Sequence, residues 1–168
     1  VVGLDTMAHV IKTLQDNLQD DPFFPSYATP PVLAALIAKG ALGQKSGAGY
    51  FKKVGKDILR LDPAKGDYVQ GQEAGTYVPA GGKADEIVAR MLKKPAAERL
   101  KLLHDSTHPQ AQFLWAILRD SFHYAAVHLA DIAETARDVD FAMRWGFGSS
   151  QGPFELWQQA GWKQVAEW

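Results

Sequence analysis

Between Thr107 and Thr135 one helical period is held for longer than anywhere else in the chain. Leu114, Leu118, Phe122, Ala125, Leu129 and Ile132 recur on a single stripe, and Phe113, Ile117 and Ala133 widen it. At ~1.5 Å per residue such a helix would run ~40 Å, enough to cross a whole domain. The pattern therefore predicts a central helix buried on more than one side. Whatever surrounds it has to be shorter and packed against it.

The flanking patterns fit that demand. A stripe at Met7, Val10, Ile11, Leu14 and Leu18 predicts a helix over roughly Asp5 to Leu18. Thr29 followed by Pro30 and Pro31 reads as a capped helix start, with Leu33, Leu36 and Ile37 buried and Lys39-Gly40 as the stop. Ile87, Val88, Met91 and Leu92 mark a short helix ended by Pro95, and Leu100, Leu102 and Leu103 mark another. Asp138 reads as the cap of a helix with Phe141, Ala142 and Trp145 on its apolar side and Met143 beside them. Pro153 opens a further helix that Gly161 closes. Two extended runs, Tyr50–Val54 and Ile58–Leu61, flank Gly55-Lys56-Asp57 as a small hairpin. The fold class is therefore mainly α: a helical bundle with a small β-hairpin excursion. Residues 1–61 form a first helical part carrying the hairpin, 62–83 a Gly/Pro-rich loop with extended pieces such as Tyr77-Val78, and 84–168 a second helical part.

With 168 residues, 46% of them apolar, the chain can bury a sizeable core. A formal net charge of −1 gives no basic excess for nucleic acid or an anionic membrane. No apolar run is long enough to span a bilayer. Cysteine is absent, which removes disulfides and thiolate chemistry and suits a cytoplasmic protein.

Candidate chemistry is sparse. Gly146, Gly148 and Gly152 miss the GxGxxG spacing by one residue and come after a helix, where a dinucleotide fingerprint comes after a strand. The turn holding Gly43, Gly47 and Gly49 leads into a strand, which is also the wrong order. Lys45 and Ser46 in that turn are open to two readings: an ammonium and N–H groups offered to a phosphate, or a tight turn into the hairpin. His104 and His108 fall across a helix boundary, and His123 and His128 are five apart. No carboxylate joins these or His9 in a zinc pattern. Ser106 and Ser121 lack a nucleophile-elbow context, and the tryptophans sit mostly at apolar helical positions.

Two motifs resemble one family. Gly40-Ala41-Leu42-Gly43-Gln44-Lys45-Ser46-Gly47-Ala48-Gly49-Tyr50-Phe51 resembles the G-x-x-G-x-K-[ST]-G-x-G-[FY]-[FY] segment of 3-hydroxyacyl-CoA dehydrogenases. Asp140-Phe141-Ala142-Met143, Gly146-x-Gly148 and Gly152-Pro153-Phe154-Glu155-Leu156 resemble the D-x-A-M…G-x-G…G-P-F-x-L signature of that family's C-terminal helical domain. Val2-Gly3-Leu4-Asp5 is similar to the segment that usually comes after this signature, as though a repeat were present. Gln158 departs from the pattern, which often carries aspartate there.

The resemblance implies a fold similar to the 6-phosphogluconate dehydrogenase C-terminal domain, placed after a Rossmann domain that binds NAD. It implies oxidation of a 3-hydroxyacyl-CoA in fatty-acid β-oxidation, with the histidine–glutamate pair and the cofactor glycines in that other domain. No catalytic, cofactor or metal residue carries over to this chain. Lys45, Ser46, Gly47 and Gly49 become the candidate substrate-binding residues. The implied partners are an acyl-CoA, the chain's own Rossmann domain and a second copy in a homodimer. Val1 without an initiator methionine and a helical pattern still running at Trp168 lead us to expect a piece of a larger enzyme, inactive alone, and two repeats would suit the longer, multifunctional members of the family. A non-catalytic dimerisation module and the helical domain of another hydroxy-acid dehydrogenase are the alternatives.

Overall fold

A computed structural model of the chain describes residues 2–64, 75–81 and 83–168. It divides into two compact units, Val1–Gly82 and Lys83–Trp168. Both are built mainly from helices, and the first also carries a small sheet.

In the first unit, helix α1 covers Leu4–Asn17 and α2 covers Pro31–Ala38. Leu4 is buried, and Ala8 and Ile11 pack behind it at helical spacing. The sequence placed Met7 and Val10 on this stripe, but both face out. Ile11, from the same stripe, does pack on the core, so the buried side runs through Leu4, Ala8 and Ile11 and leaves out Met7 and Val10. Helix α2 buries Leu33, Ala35 and Leu36. Thr29 does not cap it: Pro30 holds the cap position with no side-chain bond, and Pro31 starts the helix without an N–H to satisfy. The far end behaves as expected. Gly40 has φ +69°, and the amides of Gly40 and Ala41 return to the carbonyls of Ile37 and Leu36.

Strands β1 (Phe51–Val54), β2 (Asp57–Asp62) and β3 (Thr76–Pro79) form an antiparallel sheet in that order. The register pairs Phe51 with Arg60, Arg60 in turn with Val78, and Lys53 with Ile58. Strand β3 lies in the stretch expected to be a loop with short extended pieces. Residues 65–74 and 82 of that stretch lie outside the described residues. Leu61 on β2 and Tyr77 on β3 join α1 and α2 in one core, which seats the sheet on the helices.

The second unit runs α3 (Glu86–Leu92), α4 (Ala96–Asp105), α5 (Pro109–Ile132), α6 (Ala136–Phe147), α7 (Pro153–Gln159) and α8 (Trp162–Glu167). Its core gathers Val88, Leu100, Leu103, Ala111, Trp115, Phe122, Ala160 and Val165. Helix α5 is the long element the sequence demanded, but it is buried along one stripe only. Phe113 and Ile117 are 64% and 48% exposed, so they do not widen the buried face.

Two caps also differ from expectation. His108 starts α5 by accepting the Gln110 N–H at 3.2 Å, one residue beyond Thr107, where the pattern began. Asp138 is not the cap of α6 but the third residue of a capping box. Thr135 holds the cap position, and Asp138 accepts its N–H at 3.0 Å. On α6, Trp145 and Ala142 face solvent, against the expected apolar side.

Candidate functional site

The residues that suggested substrate binding sit in one tight turn, with Ser46 at its centre. The Ser46 hydroxyl oxygen accepts the Leu42 N–H at 2.7 Å and lies 3.2 and 3.1 Å from the carbonyls of Gly43 and Ala48, to which its proton can go. A hydroxyl so engaged is the hub of the turn. The backbone needs glycine around it: Gly43 has φ +109° and Gly47 φ +77°, both in the region that side chains disfavour. At Gly49 a Cβ would lie 2.9 Å from the Gly43 Cα, so the two ends of the turn touch backbone to backbone. The Tyr77 hydroxyl donates to the Gly49 carbonyl and ties the turn to β3. Burial raises the pKa of Tyr77, and that of Tyr50, above the usual phenol value.

Lys45 is engaged as well. Its Nζ lies 2.6 Å from Asp5 Oδ2 in the first turn of α1. That ammonium holds the Asp5 carboxyl below its ordinary pKa, opposed by desolvation and reinforced by the Thr6 amide. Leu4 donates its N–H to the Leu42 carbonyl at 3.0 Å. The motif from Gly40 to Phe51 and the segment Val2–Asp5 are therefore one contact, brought together by the fold.

Beside this turn lies a groove of about 810 Å³. Gly43, Gln44, Gly47, Gly49, Leu4, Tyr50, Phe51, Lys52, Lys53, Gly55 and Ile58 line it. Of the four expected residues, Gly47 and Gly49 reach the groove, while Lys45 and Ser46 are held inside the turn's own bonds. Phe51, Lys53 and Ile58 are among the lining residues that sequence reasoning missed. Period-two alternation in the hairpin was the available signal, since it puts Phe51 and Lys53 on one face.

The second motif is also architectural. Asp140 is buried on α6 and reaches the first turn of α7, accepting the Phe154 N–H at 2.9 Å and the Glu155 N–H at 3.0 Å. Gly152, at the cap position of α7, has no side chain to do this. Glu155 completes the arrangement by accepting the Gly152 N–H at 2.9 Å and pairing with Arg144 at 3.1 Å. A Cβ on Gly152 would lie 2.3 Å from the Asp140 Cα, which is why glycine stands there. Burial raises the Asp140 pKa against the pull of the two amides.

These bonds bear on a dinucleotide. The turn with Gly146, Gly148 and Gly152 joins two helices, and two of its helix-terminal amides are given to Asp140. The Gly43–Gly49 turn opens into a strand. Neither turn has the strand–turn–helix order of a dinucleotide fingerprint. Among the described residues, no group of three or more His, Cys, Asp or Glu could hold a metal. His104 stacks on Trp168 with ring centroids 4.5 Å apart and lies 2.7 Å from Asp105. Among the described residues no helix is long and apolar enough to cross a membrane.

Residues 1–53 match the model of the family described as 3-hydroxyacyl-CoA dehydrogenase, C-terminal domain. Over 99% of its length the chain is 36% identical to a probable 3-hydroxyacyl-CoA dehydrogenase of Bacillus subtilis, covering 20% of that protein. It is 24% identical, over 98% of its length, to 21% of a putative fatty acid oxidation complex trifunctional enzyme of Rickettsia felis. A 51-residue stretch, 30% of this chain, is 39% identical to 17% of a probable 3-hydroxybutyryl-CoA dehydrogenase of Deinococcus radiodurans. The chain thus spans about a fifth of the length of the first two of these curated relatives. No solved structure matches it.

Proposed function

The chain carries sequence of the 3-hydroxyacyl-CoA dehydrogenase C-terminal domain, and from that premise we propose that it is the substrate-cleft and oligomerisation part of an NAD-dependent enzyme of fatty-acid β-oxidation. In this reading it is inactive alone, and the Rossmann part of the longer protein supplies NAD and the catalytic base. Hydride transfer needs the substrate C3 held against the nicotinamide, a base on its hydroxyl and water kept out. The residues of this chain bind and orient; they do not move the proton.

One observation carries the reading: the family's glycine motif folds onto Leu4 and Asp5 and shapes one wall of a groove of about 810 Å³. Such a concavity with an apolar lining and few polar groups suits a ligand's non-reacting portion. The test is direct. The purified chain, given NADH and acetoacetyl-CoA, is expected to leave the NADH absorbance unchanged. Turnover above background would overturn the claim of inactivity.

A second reading, a dimerisation module with no part in the cleft, draws on a different surface. Trp145 and Phe147 on α6 are 78% and 80% exposed, and Phe113 and Ile117 on α5 also face out. Large apolar side chains left exposed are candidates for an association surface. Replacing Trp145 and Phe147 by serine should lower the sedimentation coefficient if that surface assembles the protein. An unchanged coefficient would remove this reading.

A further inference from the structure

The groove beside the glycine turn has a chemical character of its own. The hairpin register places Phe51, Lys53, Ile58 and Arg60 on one face of β1 and β2. Phe51 and Ile58 are 61% and 57% exposed, so two large apolar side chains alternate with two cations. Arg60 is paired with Asp62 at 3.8 Å, whereas Lys53 takes part in no ion pair among the described residues. At Gly43 and Gly47 an added Cβ would meet nothing within 4 Å, so bare backbone is open to a ligand. The turn's own cation and hydroxyl are turned inward, to Asp5 and to the backbone.

We infer that this groove binds the adenosine-phosphate end of an acyl-CoA, with the adenine on Phe51 and Ile58 and a phosphate on Lys53. The inference rests on the dehydrogenase reading above and adds the residues and the part of the substrate. A flat ring on an exposed aromatic with a phosphate at a neighbouring ammonium uses both halves of the surface. No histidine or metal set lies among the groove's lining residues, so the portion held here is the one that does not react. Binding energy taken from such a remote portion is what an enzyme uses to position the reacting carbon.

The test is an amide-resolved NMR titration of the 168-residue chain with CoA, adenosine 3′,5′-bisphosphate, acetyl-pantetheine and NADH, with calorimetry for Kd. CoA and the bisphosphate should shift the amides of Gly43, Gly47, Phe51, Lys53 and Ile58, and acetyl-pantetheine should not. Lys53→Ala and Phe51→Ala should each weaken CoA by roughly five- to tenfold, with the spectrum confirming the fold. Lys101→Ala, on α4 of the second unit and paired with Asp105, should leave the Kd unchanged. No binding of CoA at millimolar concentration, shifts centred elsewhere, tighter binding of NADH than of CoA, or wild-type Kd values in both variants would each overturn the assignment. Binding of CoA that ignores Lys53 and Phe51 removes this site and leaves the dehydrogenase reading standing. The claim of inactivity in that reading is tested on a separate measurement, the NADH assay of the purified chain.

Discussion

Each unit contains a carboxylate, a glycine and the start of a helix, and the two arrangements are held to different standards. In the second unit Asp140 is buried, bonded to two amides of α7, and in contact with Gly152 along its backbone. In the first unit Asp5 meets a lysine at the surface, and Gly3 sits against the flexible ends of both side chains. A Cβ on Gly3 would come within 2.3 Å of Asp5 Oδ1 and 2.9 Å of Lys45 Nζ, atoms that swing aside. A Cβ on Gly152 would meet the Asp140 main chain, which cannot. A motif glycine is therefore informative only when one knows what it faces.

The sharpest way to break this contrast is Gly152→Ala. Forcing α6 and α7 apart should cost about 3 kcal/mol or more, read as a fall in the denaturation midpoint. Gly3→Ala should leave the midpoint close to wild type; an equal loss at both positions would end the distinction. Next in size is Asp140→Ala, which strands two helix-terminal amides in a buried place and should cost about 2–3 kcal/mol. Asp140→Asn keeps one acceptor and should recover part of that loss. Gly49→Ala comes third, at about 2 kcal/mol, because its Cβ would press on the Gly43 backbone inside the turn. Its effect belongs to the first unit's turn, so it tests whether that turn, unlike the Asp5–Lys45 pair, is rigid.

The reach of each interaction decided whether sequence reasoning could see it. The long helix α5, the hairpin and the stop at Lys39-Gly40 depend on neighbours within a few residues, and all three are where the pattern put them. Exposure of Phe113, Ile117 and Trp145 was not legible, because periodicity says which residues share a face and not what lies opposite it. Helix starts were misplaced at Thr29, where Pro30 takes the cap position, and at Asp138, where Thr135 three residues earlier is the cap. Lys45 was kept as a candidate substrate-binding residue because its partner, Asp5, is 40 residues away. The duty of Asp140 was hidden for the same reason, since the amides it accepts lie 14 and 15 residues further along the chain. The family motifs were recognisable as strings, and their physical meaning as docking contacts needed the fold.

The smallest effects are in pH dependence, and there the two carboxylates should differ in sign. Lys45 lowers the Asp5 pKa, so the folded state binds its proton less readily than the unfolded chain does. The stability this adds is present above the ordinary aspartate value, about pH 4, and is lost as pH falls through the lower folded value. Burial raises the Asp140 pKa, so the folded state binds that proton more readily. Its contribution is therefore most favourable below about pH 4 and declines as pH rises through the higher folded value. Comparing wild type with Asp5→Asn and Asp140→Asn by urea denaturation between acid and neutral pH isolates each slope. The wild-type advantage over Asp5→Asn should grow with pH and plateau, at a small amplitude set by its solvent exposure and suppressed by salt. The difference from Asp140→Asn should shrink with pH and be insensitive to salt, because that carboxyl is shielded from solvent. Parallel slopes would show that the two amides and Arg144 outweigh burial at Asp140, and would place both motif carboxylates under the same electrostatic control.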